Sequence, residues 1–101
     1  MLTSKQKSFL RSKAHKLQPV IQVGKSIVTE TVIDTVVKAL QKRELIKISV
    51  LQNCLAEPKE VASIIVQHAD AQLVQVIGRV IILYKKSSNQ AFRTITHQIP
   101  K

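Results

Sequence analysis

The 101-residue chain holds no tryptophan, one cysteine, two glycines, one tyrosine and two phenylalanines. Each shortage removes a class of protein. With Cys54 alone, no disulfide closes within the chain, and neither a zinc ribbon nor a cysteine knuckle can be assembled. A lone thiol suits a reducing compartment, so a cytoplasmic protein is expected. Phe9, Tyr84 and Phe92 are too few and too scattered to build the stacking platforms of many single-strand binders. Long apolar runs are also missing. Residues 1–16 lack the stretch of about 7 to 15 apolar residues that a secretory signal needs. Nowhere do apolar residues approach the roughly 20 of a membrane span. Acids are scarce as well, with 6 Asp plus Glu against 16 Lys plus Arg.

What is present is a globular composition with 45% hydrophobic residues and a formal charge of +10. About 100 residues supply one core and no more. The charge is uneven. Lys5, Lys7, Arg11, Lys13, Lys16 and Lys25 open the chain without an acid, and Arg79, Lys85, Lys86, Arg93 and Lys101 close it in the same way. Residues 48–78 instead set Lys59 against Glu57, Glu60 and Asp70. Basic ends of this kind draw a polyanion, for which nucleic acid is the leading candidate.

Periodicity supplies the elements. Leu10, Ala14 and Leu17 recur at near-helical spacing over residues 4–17, giving a basic amphipathic helix that Pro19 ends. The run Val20, Ile21, Gln22 and Val23 reads as a short strand before Gly24. Residues 28–42 are rich in Thr, Val and Ile, yet Ile33, Val36, Val37 and Leu40 fall at i, i+3, i+4 and i+7, so a helix capped by Thr29 is predicted. Residues 45–51 form a second strand, with Ile46, Ile48 and Val50 on one face and Lys47 and Ser49 on the other. Pro58 opens a third helix with Val61, Ile64, Ile65 and His68 on its stripe. Residues 73–77 and 80–84 are two strands joined at Gly78-Arg79 as a type II′ hairpin. The expected fold is a single α/β domain of order α-β-α-β-α-β-β with a mixed four-stranded sheet, occupying residues 1–86. Residues 87–101 are expected to be a mostly flexible tail.

The run from Leu10 through Gly24 resembles the opening of the CRM domain, named for chloroplast RNA splicing and ribosome maturation. Thr29-Glu30, Glu44-Leu45-Ile46-Lys47, Val76-Ile77-Gly78-Arg79 and Leu83-Tyr84-Lys85 continue the resemblance in order, so it covers residues 3–85. It implies an RNA-binding domain related in fold to the C-terminal domain of translation initiation factor 3. Stand-alone bacterial members, the YhbY-like proteins, are associated with precursors of the large ribosomal subunit. The resemblance thus implies an RNA-binding protein of large-subunit assembly with ribosomal RNA as partner; a monomer is expected, and with no catalytic constellation in the sequence no enzymatic activity is expected.

In that family the RNA-contacting element is a GxxG loop. Here it falls on Gly24-Lys25-Ser26-Ile27, with Ile27 in place of the second glycine. Gly24, Lys25, Ser26 and the helix start at Thr29 are the expected phosphate site. Lys5, Lys7, Arg11 and Lys13, with Arg79 and Lys85, are expected to extend it into one basic surface. A Walker loop is excluded because Pro19 stands where its first glycine belongs. His15, His68 and His97 lack partners at ligand spacing, so neither a metal nor a cofactor is expected. His15 and His68 are read as structural, and Tyr84 as packed. The rival readings are a basic DNA-binding protein, a subunit that meets an acidic protein partner and, third, an enzyme acting on RNA, for which the sequence shows no catalytic constellation.

Overall fold

The structure, a computed structural model, describes residues 2–24, 29–54 and 56–100. Its first helix, α1 (Ser4–Ala14), starts at a reciprocal cap. The Thr3 hydroxyl accepts from the Gln6 amide at 3.1 Å while the Gln6 side chain accepts from the Thr3 amide at 2.9 Å. Leu10 and Ala14, one turn apart, are its buried positions. The helix ends three residues earlier than periodicity suggests, and Leu17 nevertheless packs on the same core from the turn that follows.

Two strand–helix steps and a hairpin follow. Strand β1 (Ile21–Val23) leads to α2 (Glu30–Arg43), which is capped by Thr29 through a 3.2 Å bond from the Val32 amide. Strand β2 (Leu45–Val50) leads to α3 (Pro58–Ala69), with Pro58 in the first turn, where it forfeits no helical bond. Strands β3 (Gln72–Ile77) and β4 (Val80–Tyr84) form the hairpin. Gly78 takes φ +57° and Arg79 stays in the ordinary range, the sign pattern of a type II′ turn. The sheet order is β1-β2-β4-β3, with β1 parallel to β2 and both β2 and β3 antiparallel to β4. This is the mixed four-stranded sheet that the element order implies.

The two faces of the sheet carry separate cores. Ile46, Ile48, Val50, Ile81 and Leu83 point toward α2 and α3, where they meet Val36, Leu40, Val61 and Ile65. Leu45, Val74, Ile82 and Tyr84 point the other way, beneath Leu10 and Ala14 of α1. Strand β4 is central and contributes to both, so its residues are apolar in succession rather than in alternation. Truncating Ile81 or Ile82 to alanine is expected to cost about 2 to 5 kcal/mol.

Residues 87–100, the stretch whose composition suggests flexibility, run with a first 3-10 turn (Gln90–Phe92) against α2, where the Ser87 hydroxyl donates to the Gln41 carbonyl at 2.7 Å, and a second (Thr96–Gln98) on the α1 side. Glu44 holds them. It sits between α2 and β2 at φ 64°, is fully buried, and accepts bonds from the Ser87 amide at 2.7 Å, the Thr96 amide at 3.0 Å and the Thr96 hydroxyl. The Tyr84 hydroxyl meets Thr96 at 2.6 Å, so the tyrosine is packed, as its place near a strand end suggests. Ile95 and Ile99 then pack against the α1 core. Composition alone misses these contacts because they depend on one acid 43 residues or more away in the chain.

Candidate nucleic-acid interface

The C-terminal ends of β1 and β2 and the β3–β4 turn meet at one end of the sheet. There the Leu51 amide donates to the Val23 carbonyl at 2.8 Å, and the Val50 amide to the Arg79 carbonyl at 2.8 Å. The Arg79 side chain closes the junction, with Nε 2.9 Å from the Val50 carbonyl and Nη2 2.7 Å from that of Leu51. Gly24 lies beside it, since a Cβ on Gly24 would stand 3.6 Å from Leu51 Cδ1. Thus Arg79 and Gly24 share one end of the molecule, and Arg79 also ties that end together. Among the described residues, neither space nor a positive φ demands glycine at position 24. Lys25, Ser26 and Ile27 lie outside the described residues, between Gly24 and the helix cap at Thr29.

From α1, Lys5, Lys7, Arg11 and Lys13 all project into solvent. Lys13 sits 5.8 Å from the Phe9 ring centroid, and Arg11 reaches the sheet, with Nη1 3.2 Å from Gln75 Oε1. Lys47 adds a cation that sequence reasoning left out of the site. It pairs with Ile82 across the β2–β4 ladder, so it shares the α1-side face, and it is half-buried there. The signal was present in its alternation with Ile46 and Ile48, but alternation does not say which side α1 would cover.

Lys85 is not brought to this surface. It follows β4 at the far end of the sheet, roughly 20 Å from Arg79 at about 3.3 Å per residue. Its ammonium donates to the Ala69 carbonyl at 3.2 Å, at the C-terminus of α3, where a cation offsets the helix dipole. Expected beside Arg79, it belongs to the opposite end because β4 runs the full length between them.

The acids are segregated. Glu30, Asp34, Glu57, Glu60 and Asp70 are exposed, and all belong to α2, α3 or their caps. Asp34 pairs with Lys38 at 3.0 Å. Both helices begin at the Gly24 end, so Glu30 and Glu60 lie there on the α2 and α3 side, where first-turn acids suit the positive pole. The sixth acid, Glu44, is buried. Burial pushes its carboxyl up, but the bonds from the Thr96 hydroxyl and from the Ser87, Thr96 and Ile95 amides outweigh this and hold it below the ordinary glutamate value. Burial also raises Tyr84 above the usual phenol value, with the nearby Glu44 carboxylate adding to the rise and the Thr96 hydrogen bond opposing it.

Two residues read as structural stand elsewhere. His68 is exposed and lines a groove of about 680 Å³ with Glu30, Asp34, Val37 and Ile64. The buried arc of α3 runs through Val61, Ala62, Ile65 and Ala69, which leaves position 68 on its flank. His15 caps α1 with its amide while its side chain is in solvent. Cys54 is buried in the α2 and α3 core. Among the described residues no three His, Cys, Asp or Glu side chains converge as metal ligands, and no helix is long and apolar enough to cross a membrane.

Comparison with known proteins follows the same fold. Residues 2–85 match the profile of the CRS1 / YhbY (CRM) domain. The chain belongs to the CRM domain family. It is 55% identical over 87 residues to the probable RNA-binding protein YqeI of Bacillus subtilis, covering 86% of this chain and 91% of that protein. An RNA-binding protein of Haemophilus influenzae is 37% identical over 86 residues, covering 85% and 87% of the two chains. Among solved structures, the solution structure of the hypothetical protein SAV1595 from Staphylococcus aureus, there proposed to bind RNA, superposes with a TM-score of 0.75 at 43% identity. That match covers 89% of this chain and 94% of the other. This CRM domain therefore has relatives of its own size on which most of both chains align.

Proposed function

We propose that this CRM protein is a non-catalytic RNA-binding protein that docks on structured ribosomal RNA and assists assembly of the large ribosomal subunit, as a monomer in the cytoplasm. One observation carries the reading. Among the described residues the α1 side exposes Lys5, Lys7, Arg11 and Lys13 with no exposed Asp or Glu, and at its edge lies the end that bears Gly24 and Arg79. A phosphate backbone crossing that side meets the cations of α1 and none of the exposed acidic side chains.

The acids at the start of α2 and α3 set the direction of approach. RNA reaching the Gly24 end of the sheet from their side meets Glu30 and Glu60, so the α1 side is the favourable route. Gly24 and the Thr29 cap flank Lys25 and Ser26, which complete the phosphate site in this reading. Arg79 acts there mainly by holding the β2 end and the hairpin turn in register, while its charge contributes to the field. Lys85 is outside the contact.

Affinity for RNA should fall with a log-log salt slope of about 0.7 to 0.9 per phosphate neutralised. Sedimentation of cell extract with and without ribonuclease tests the assembly role. Comigration with large-subunit precursors that ribonuclease abolishes supports it, and a position at the top of the gradient in both runs refutes it. Competition by duplex DNA at matched salt separates this reading from a general polyanion binder.

A further inference from the structure

The α1-side face of the sheet is only partly covered. Leu45, Val74, Ile82 and Tyr84 are buried beneath α1 and residues 95–99. One register step further along, Gln22 pairs with Ser49, Ser49 with Val80, and Val80 with Ile77, so these four side chains form one row across all four strands. That row is open. Ile77 is 48% exposed, Gln22 is exposed, and Ser49 and Val80 are half-buried. None of the row's four residues belongs to the cluster that α1 packs on.

We infer that this row is a contact site for unpaired RNA nucleotides, with Ile77 and Val80 as an aliphatic shelf under base faces and Gln22 and Ser49 as hydrogen-bonding partners for base edges. The inference rests on the RNA-binding reading above and narrows the kind of RNA segment recognised.

Charge and chemistry name the occupant. The row lies between Arg79 at the hairpin turn and the next row inward, which carries Lys47 and the Gln75 that Arg11 contacts. Among the described residues no exposed Asp or Glu stands on that face of the sheet; Glu44, at its far end, is buried and bonded to Ser87 and Thr96. A polyanion threading between these cations places its bases or its riboses over the open row. Duplex RNA buries its base faces in its own stack and turns phosphates and hydroxyls outward, so it has nothing apolar to set against Ile77 and Val80. An unpaired segment does. Four strands span about 14 Å, comparable to the four-stranded sheets on which other RNA-binding domains lay two or three bases. Gln22 offers both a donor and an acceptor, and Ser49 a hydroxyl of either sense, so base edges are read without any aromatic residue. The scarcity of aromatics thus limits the strength of each base contact and leaves the site in place.

The test compares two RNAs of equal nucleotide count at matched salt: a stem–loop with an unpaired loop, and an uninterrupted duplex. The wild-type chain should bind the stem–loop about tenfold more tightly. The double variant Gln22→Ala/Ile77→Ser should keep its duplex affinity within about twofold and lose most of that preference. Both side chains are exposed, so circular dichroism should show an unchanged fold. A wild-type ratio near one overturns the inference without any variant, and so does a variant that keeps the full preference. If neither RNA binds in a salt-dependent way, the RNA-binding reading itself fails, and the two failures are distinguishable.

Discussion

On the α2 and α3 side of the sheet, Glu30, Asp34, Glu57, Glu60 and Asp70 stand in solvent among Lys38, Lys42, Arg43 and Lys59, whereas among the described residues the α1 side exposes Lys5, Lys7, Arg11 and Lys13 and no Asp or Glu. The two sides also differ in how they are closed. Two helices cover one side over a continuous core. One helix and the C-terminal segment cover the other and leave the row at Gln22 and Ile77 open. A single sheet thus separates a mixed-charge side packed under two helices from a cationic side packed under one helix and residues 95–99. Net charge alone is a poor guide to function; its distribution over the two faces gives the protein a direction in which to bind.

The largest effect should come from erasing the charge difference. Replacing Lys7, Arg11 and Lys13 together by Gln is expected to weaken RNA binding roughly 30-fold near 100 mM salt and to flatten the log-log salt slope by about 2 to 3, measured by filter binding. The matching change on the other side, Lys38→Gln with Lys59→Gln, should alter affinity by less than about twofold. Equal losses from the two variants would end the comparison.

Next comes the acid that closes the α1 side. Glu44→Gln should lower the unfolding free energy in urea by about 2 kcal/mol, because it weakens charge-assisted bonds to buried donors at Ser87 and Thr96. It should also speed proteolysis within residues 87–100. The effect on pH follows from the depressed carboxyl. Its contribution is complete above the ordinary glutamate value of about 4.3 and is lost as pH falls through the lower folded value. Acid titration of stability should therefore show a loss below about pH 4 that is smaller in the Gln variant. Identical profiles would assign no such role to Glu44.

A smaller effect should separate folding from binding at Gly24. Gly24→Ala leaves room for its methyl beside Leu51, so stability should stay within about 0.5 kcal/mol. If phosphate approaches the backbone there, RNA affinity should drop about fivefold. The smallest effect is expected at the far end. Lys85→Gln gives up one bond to Ala69, so it should change RNA affinity by less than about twofold and stability by about 0.5 kcal/mol. A large loss of binding there would extend the contact around the whole molecule.

Much of the fold was readable in the chain because local rules agreed. The i, i+3, i+4 spacing through Ile33, Val36, Val37 and Leu40 outweighed the β-branched composition of α2, and Gly78 between two apolar runs placed the hairpin. Boundaries and sidedness were less readable. Periodicity does not report that α1 ends at Ala14, since Leu17 is apolar for the same core but reaches it from a turn. The site was legible as a list of cations and illegible as a surface. Arg79 and Lys85 are six residues apart, which reads as proximity in sequence and as opposite ends in an extended strand. Lys47, distant in sequence from α1, shares its side through the β2–β4 register.

Composition, spacing and motif order were enough to establish one α/β domain, basic chain ends and membership of the CRM domain family, since each depends on residues close in sequence or counted without regard to position. Which cations share a face, where Glu44 anchors the last residues, and which row of the sheet α1 leaves open were decided only by the packed molecule. Those properties arise from pairings between residues tens of positions apart, and only the register of the strands and the reach of one short helix determine them.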